Sequence, residues 1–351
     1  MGPPKSPGTV WGSPWERGAP APHFWRSSLG GEGFTQSGGG VGPAFRAEFR
    51  THRTTRWPHQ WTIFSPTFSL LLATLATALI ASPGIPRNTG PAIAPEAPVI
   101  LYDGKSVTDL SAFYTWLANH AYEDPNRVFT IVDRVDGAPA IRISGQDWGG
   151  LVTRQRFSRY KLLMDFRWGA VTWGVRKERA RNSGILIHCF GEDGNSLPTY
   201  RAPWMASIEY EILEGRTGDV LLVGGHDRTT GERVLPRATM RAQPGKSVWD
   251  PQGTPREFVS KQGALHWFGI DPELKDFPGA RGRQDVERPA GEWNRVEAHV
   301  DRDGMLFFLN GVKVMEISRP SLTEGRLLIQ SEGAEVFIRR FELHPLGKLT
   351  S

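Results

Sequence analysis

Ser207-Ile208-Glu209-Tyr210-Glu211-Ile212-Leu213 alternates apolar and polar side chains with a period of two. That period belongs to a strand with one covered face, because successive β side chains project to opposite sides. Ile208, Tyr210 and Ile212 share the side expected to enter a core, and Glu209 and Glu211 share the other. Their Cα atoms would lie about 6.5–7 Å apart, which lets the two carboxyl groups approach. Close like charges raise one pKa and so separate an acid from an ionised partner. Such a pair also suits a divalent cation held through oxygen. The competing reading is a solvated polar face on a half-covered sheet.

Upstream, Asn182-Ser183-Gly184-Ile185-Leu186-Ile187-His188-Cys189-Phe190 repeats the pattern. Strict alternation places Asn182, Gly184, Leu186 and His188 on one side, and Ser183, Ile185, Ile187 and Cys189 on the other. His188 is thereby expected beside the carboxylates as acid, base or, with Glu209, metal ligand. A satisfied structural histidine is the commoner outcome for that residue type.

Short runs of the same kind recur through residues 99–347, between turn signals such as Asp303-Gly304 and Asn310-Gly311. Residues 110–120 are the only convincing helix. About eleven strands and one helix predict an all-β sandwich of two antiparallel sheets.

Ahead of this domain the composition changes. The chain of 351 residues carries a net +5, of which residues 1–60 hold seven Lys/Arg against three Asp/Glu. The high overall basicity is therefore a property of the leader. No basic stripe with interleaved aromatics occurs, which speaks against nucleic-acid binding. Residues 1–61, rich in Gly, Pro and Ser, are expected to lack a packed core. Residues 62–81, TIFSPTFSLLLATLATALIA, are uncharged and come after Arg46, Arg50, Arg53 and Arg56. They are expected to be a signal-peptide core or an apolar membrane-anchor helix, so the domain is expected to be exported. Residues 82–98, punctuated by prolines, are expected to be a linker. The chain's one cysteine, Cys189, rules out an internal disulfide and is expected to be a small buried hydrophobe.

Several motifs in residues 99–346 resemble, in order, those of the 3-keto-disaccharide hydrolase domain family. Leu101-Tyr102-Asp103-Gly104-Lys105-Ser106 is similar to its opening "F-D-G-K-S-L", and Asn182-Ser183-Gly184-Ile185 to its "N-S-G-I" strand. Glu209-Tyr210-Glu211-Ile212-Leu213-Glu214 resembles "E-x-Q-I-x-D/E". Gly291-Glu292-Trp293-Asn294 with Asn310-Gly311 resembles the hairpin "G-E-W-N … x-N-G". Residues 325–340 resemble the closing "G-x-I-x-L-Q-x-H/E-G … V-x-F-R-N-I", in which Gln330 and Glu332 fall at polar positions. The chain departs at Glu211, where Gln is common, and at Arg340, where Asn is usual.

The resemblance implies a concanavalin A-like jelly roll with a concave sugar-binding face and a saccharide substrate. It extends to cleavage of 3-keto-glycosides, with a separate oxidoreductase supplying the keto sugar, since no dinucleotide fingerprint occurs here. On that reading Glu209 is the base or a metal ligand, Glu211 the partner acid, and His188 a ligand or second acid/base. Arg181 and Asn182 would position the substrate, although Arg181 could simply pair with an acid. Thirteen tryptophans are available to cover a pyranose face. Trp204 is favoured, ahead of Trp168, Trp173 and Trp267. The alternative is a non-catalytic lectin-like module using the same groove; a scaffold domain is a third reading.

Overall fold

The computed structural model describes residues 90–347. The leader and residues 62–81 lie outside the described residues, and no described helix is long and apolar enough to cross a membrane. Two antiparallel sheets dominate, in keeping with a jelly-roll sandwich. The smaller runs β2 (Phe113–Leu117), β5 (Gly149–Thr153), β17 (Arg326–Ser331), β7 (Asn182–Phe190), β8 (Ala206–Leu213) and β9 (Val220–Val223). The larger runs β13 (Thr254–Val259), β12 (Arg237–Ala242), β16 (Val312–Ser318), β15 (Gly304–Leu309), β14 (Asn294–Val300), β6 (Tyr160–Thr172), β18 (Ala334–Pro345), β4 (Ala138–Ile143) and β3 (Phe129–Val135). β1 (Val99–Tyr102) also pairs with β18, and β10 (Gly225–His226) with β11 (Arg233–Val234) forms a small ribbon.

The sheets meet through the apolar faces that alternation assigns. Ile208, Tyr210 and Ile212 of β8 and Ile185 and Ile187 of β7 join Met164, Phe166, Val296 and Phe307 of the larger sheet in one core. Tyr210 packs on Phe307 at 5.3 Å between ring centroids, and Phe113 stacks on Phe341 at 6.0 Å. Burying each such side chain contributes about 1.5–3 kcal/mol. Asn310 and Gly311, both at positive φ, turn β15 into β16 as their residue types anticipate.

One expectation is corrected. Residues 110–120 contain strand β2, not a helix. Phe113 and Leu117 enter the main core while Tyr114 and Trp116 face the other side, so aromatic pleat packing overrides the apparent helical spacing. The described part of the expected linker touches the domain. Ile93 forms a β-bridge with Phe157, exchanging backbone hydrogen bonds with Arg156 and Ser158 at 2.9 Å.

Strand β5 escapes sequence reading because Gly149-Gly150 looks like a turn. A Cβ on Gly149 would fall 2.0 Å from the Trp116 carbonyl oxygen, so glycine is what lets β2 and β5 approach.

Candidate active site

The site lies on the side of the smaller sheet turned away from the core. Because Ile208, Tyr210 and Ile212 are committed inward, Glu209 and Glu211 project outward from β8, as parity predicts. Register sets Glu211 opposite Gly184 and Glu209 opposite Leu186, and carries Gln330 onto the same face from β17. Gln330 Nε2 donates to Glu209 Oε1 at 2.6 Å. A Cβ on Gly184 would stand 2.5 Å from Gln330 Oε1 and 2.8 Å from Glu209 Oε1. The absent side chain of Gly184 is thus the space in which these two groups meet.

Glu332, in the turn from β17 to β18, completes the cluster. Arg176 Nη2 lies 3.3 Å from Glu332 Oε1 in a pair whose members are both buried. Arg176 sits in a short 3-10 turn, Gly174–Arg176, fixed by the Trp173 amide donating to the Gly333 carbonyl at 2.7 Å. The Asn182 side chain also hydrogen-bonds Glu332. Three carboxyl groups, one amide pair and one guanidinium therefore share a recess. Glu209, Glu211 and Glu332 are only 4%, 7% and 4% exposed.

Burial disfavours charge, and neighbouring acids add to it. Desolvation, then Glu211 and Glu332, drive Glu209 well above the ordinary carboxylate range, against the Gln330 hydrogen bond that favours its ionised form. Burial and then Glu332 push Glu211 up to about 8, although Arg176 and Arg216 oppose the rise. Glu332 is raised by burial, with Arg176 and Asn182 pulling back. Gln330 Oε1 and Asn182 Oδ1 are buried acceptors with no donor among the described residues. The recess offers several acceptors and carboxyls whose pKa values burial raises. It is equipped to bind hydroxyl groups and to move protons.

His188 is not in it. At His188 the backbone turns to φ +56°, and the register of β7 slips by one residue against both β8 and β17. This bulge ends strict alternation, because an extra residue reverses the facing of those beyond it. His188 is fully buried, its Nδ1–H donating to the Leu322 carbonyl at 3.0 Å, and it packs edge-on to Tyr160 of β6 at 5.8 Å. Burial brings its pKa down to about 4. Cys189 takes the face expected of His188, in a cluster with Tyr114, Leu186, Met205 and Leu328. Glu209 and His188 consequently cannot share a cation. Among the described residues no three His, Cys, Asp or Glu side chains are arranged to hold a metal ion.

Arg181 is also diverted from substrate positioning. Its guanidinium Nη1 lies 2.8 Å from Glu214 Oε1, its amide donates to Glu214 Oε2 at 2.8 Å, and Nε donates to the Gly169 carbonyl. Of the four candidate platforms, Trp267 and Trp168 are core residues, the latter donating to Glu287 at 2.6 Å. Trp173 is 40% exposed beside the Arg176 turn. Trp204 is half-buried, tilted at 31° against Trp148 with centroids 6.2 Å apart over the apolar cluster that borders the acids.

Arg176 and Trp148 escape sequence reading. The one lies in a charged loop, Arg176-Lys177-Glu178-Arg179, whose members look alike as a string. The other precedes the glycine pair that looks like a turn; its parity with Gly150 is the available signal. Residues 191–205, legible in the sequence only as the approach to β8, cover part of this face. Tyr114 Oη donates to Asp193 at 2.8 Å and Trp116 Nε1 to the Ala202 carbonyl at 2.8 Å.

No curated protein matches the chain. Among solved structures, a putative glycosyl hydrolase from Parabacteroides distasonis is similar at 18% identity, TM-score 0.39, over 72% of this chain and 95% of that one. A carbohydrate binding module from Bacillus subtilis is similar at 9% identity, TM-score 0.31, over 61% and 91%. A β-glucanase from Bacillus licheniformis is similar at 9% identity, TM-score 0.32, over 69% and 96%. The family model of the 3-keto-alpha-glucoside-1,2-lyase-like domain matches residues 98–344, and the chain belongs to that family.

Proposed function

We propose that this domain cleaves the glycosidic bond of a 3-keto-glycoside by acid–base chemistry in the Glu209–Glu211–Glu332 recess. The observation that carries the reading is the gathering of three buried carboxyl groups around one guanidinium. Removing acids from water is costly, and stability alone does not call for such a cluster. Titratable groups held far from their ordinary pKa mark sites of proton transfer.

A ketone at C3 acidifies the proton at C2. One carboxylate takes that proton, the C1–C2 double bond forms as the C1–O bond breaks, and a carboxylic acid protonates the departing oxygen. Water then adds across the double bond, so the net change is hydrolysis. Glu209 is assigned as the base, because the Gln330 amide orients it; burial keeps its pKa well above the ordinary range, so its ionised form is a strong base. Glu211, which holds its proton up to about pH 8, is the acid. Glu332, paired with Arg176 inside the cluster, tunes the other two. Gln330 and Asn182 have acceptor oxygens free for sugar hydroxyls, and Trp204 and Trp173 supply aromatic faces.

The reaction is tested with a 3-keto-disaccharide and its unoxidised parent in deuterated water. The expected result is cleavage of the keto sugar alone, with deuterium in the C2 position of the product. Cleavage of both sugars without deuterium would instead indicate direct displacement at C1. Binding without cleavage of either would leave the lectin-like reading. The remaining expectations, an exported domain and a partner oxidoreductase, stand as proposals from residues 62–81 and from the substrate's need for prior oxidation.

A further inference from the structure

A second cavity, of about 250 Å³, opens where β7 ends and β17 begins, and Cys189, Phe190, Arg228 and Arg326 are among its walls. Two of its guanidiniums are already matched. Arg156 pairs with Glu324 at 2.7 Å, and Arg228 with Glu192 at 2.8 Å. Asp227 Oδ1 is held by the backbone amides of Thr229 and Thr230 in its own turn.

Arg326 is different. It is 7% exposed, its Nη2 donates to the Gly191 carbonyl at 2.9 Å, and its Nε is buried with no partner. Among the described residues it has no carboxylate within ion-pair distance. A buried guanidinium without a counter-charge is unfavourable, and a planar fork with a free donor fits an oxyanion. The cavity is far from the acid recess along the sheet. Arg326 and Gln330 stand four residues apart on β17, about 13 Å by strand rise. Leu186, Leu328, Met205 and Cys189 pack between the two places as a closed apolar cluster.

We propose that this cavity is an oxyanion-binding site, in which Arg326 takes a carboxylate, sulfate or phosphate group and the exposed edge of Phe190 borders the rest of the ligand. The volume suits a free anion or a single anionic sugar ring. The site does not depend on the reaction proposed above, because its residues are separate from the acid recess.

The test is calorimetric binding of inorganic sulfate, inorganic phosphate, glucuronate and glucose in low-chloride buffer. At least one anion is expected to bind, while glucose does not. Tighter binding of glucuronate than of the inorganic ions would place the anion on a sugar; the reverse would indicate a free ion. Arg326→Gln is expected to weaken anion binding by about tenfold or more, and Arg326→Lys by less. Should Arg326→Gln fail to fold, binding to the unmodified protein and to Arg326→Lys still decides the matter. No binding of any of the three anions, or binding insensitive to both Arg326 variants, would overturn the proposal.

Discussion

His188 and Cys189 are consecutive residues that face opposite sides of β7, the histidine inward against Tyr160 and the cysteine outward against Leu186 and Met205. The bulge at His188 produces this exchange, and with it the imidazole leaves the acid recess for the core. His188 should therefore matter to stability and not to chemistry. Its folded pKa of about 4 lies below the ordinary 6.5, so the neutral ring is the folded form. The associated stability is complete above pH 6.5 and is lost as the pH falls towards 4, amounting to at most about 3 kcal/mol. Urea unfolding of His188→Gln is expected to give a flatter pH dependence between 7 and 4, with the acid–base profile of turnover unmoved. A shifted turnover profile would return His188 to the site.

The carboxyls have the opposite sign. Glu211 is raised from 4.5 to about 8, so its protonated form suits the fold. The favourable contribution is complete below pH 4.5 and disappears as the pH rises through about 8. Glu211→Gln, which is neutral at every pH, should be more stable than the parent at pH 9 by about 1–3 kcal/mol, and little different at pH 4. Thermal unfolding at the two pH values measures the gap; equal stability throughout would mean the acid is better solvated than its burial indicates.

Gly184→Ala inserts a methyl group where Gln330 Oε1 and Glu209 Oε1 meet. Both are ends of flexible side chains and can move apart, so the expected cost in stability is about 1 kcal/mol. The Glu209–Gln330 hydrogen bond should break and turnover fall by about tenfold or more. Unfolding and initial rates on the same preparation separate the two effects.

Arg176→Met removes the one guanidinium directly paired with the acids and leaves Glu332 uncompensated, which should cost about 3–5 kcal/mol. Adding Glu332→Gln should recover most of that loss, since the double variant has neither buried charge. A double-mutant cycle in urea checks the coupling; additive losses would show that the pair is not a unit.

Parity in residues 207–213 is enough to reveal the sandwich and the placement of Glu209 and Glu211, because core packing enforces a strict period of two. The Gln330 and Glu332 positions come from the family resemblance, and the structure brings both into the recess. Alternation cannot reveal the bulge at His188, since one inserted residue changes facing without changing the letters on either side. Nor can it pair Arg181 with Glu214, a contact between the residue before β7 and the one after β8 that depends on register. Strands β2 and β5 elude the pattern for related reasons, one for its helix-like spacing and the other for glycines that serve close packing.

The assignment of Glu209 as the base rests most squarely on the turnover number of Glu209→Gln with a 3-keto-disaccharide, taken alongside its circular dichroism. An unchanged fold and a fall of about a hundredfold or more are expected, because the proton at C2 then has no base. Turnover within a factor of about two of the parent, in a folded protein, would contradict the assignment.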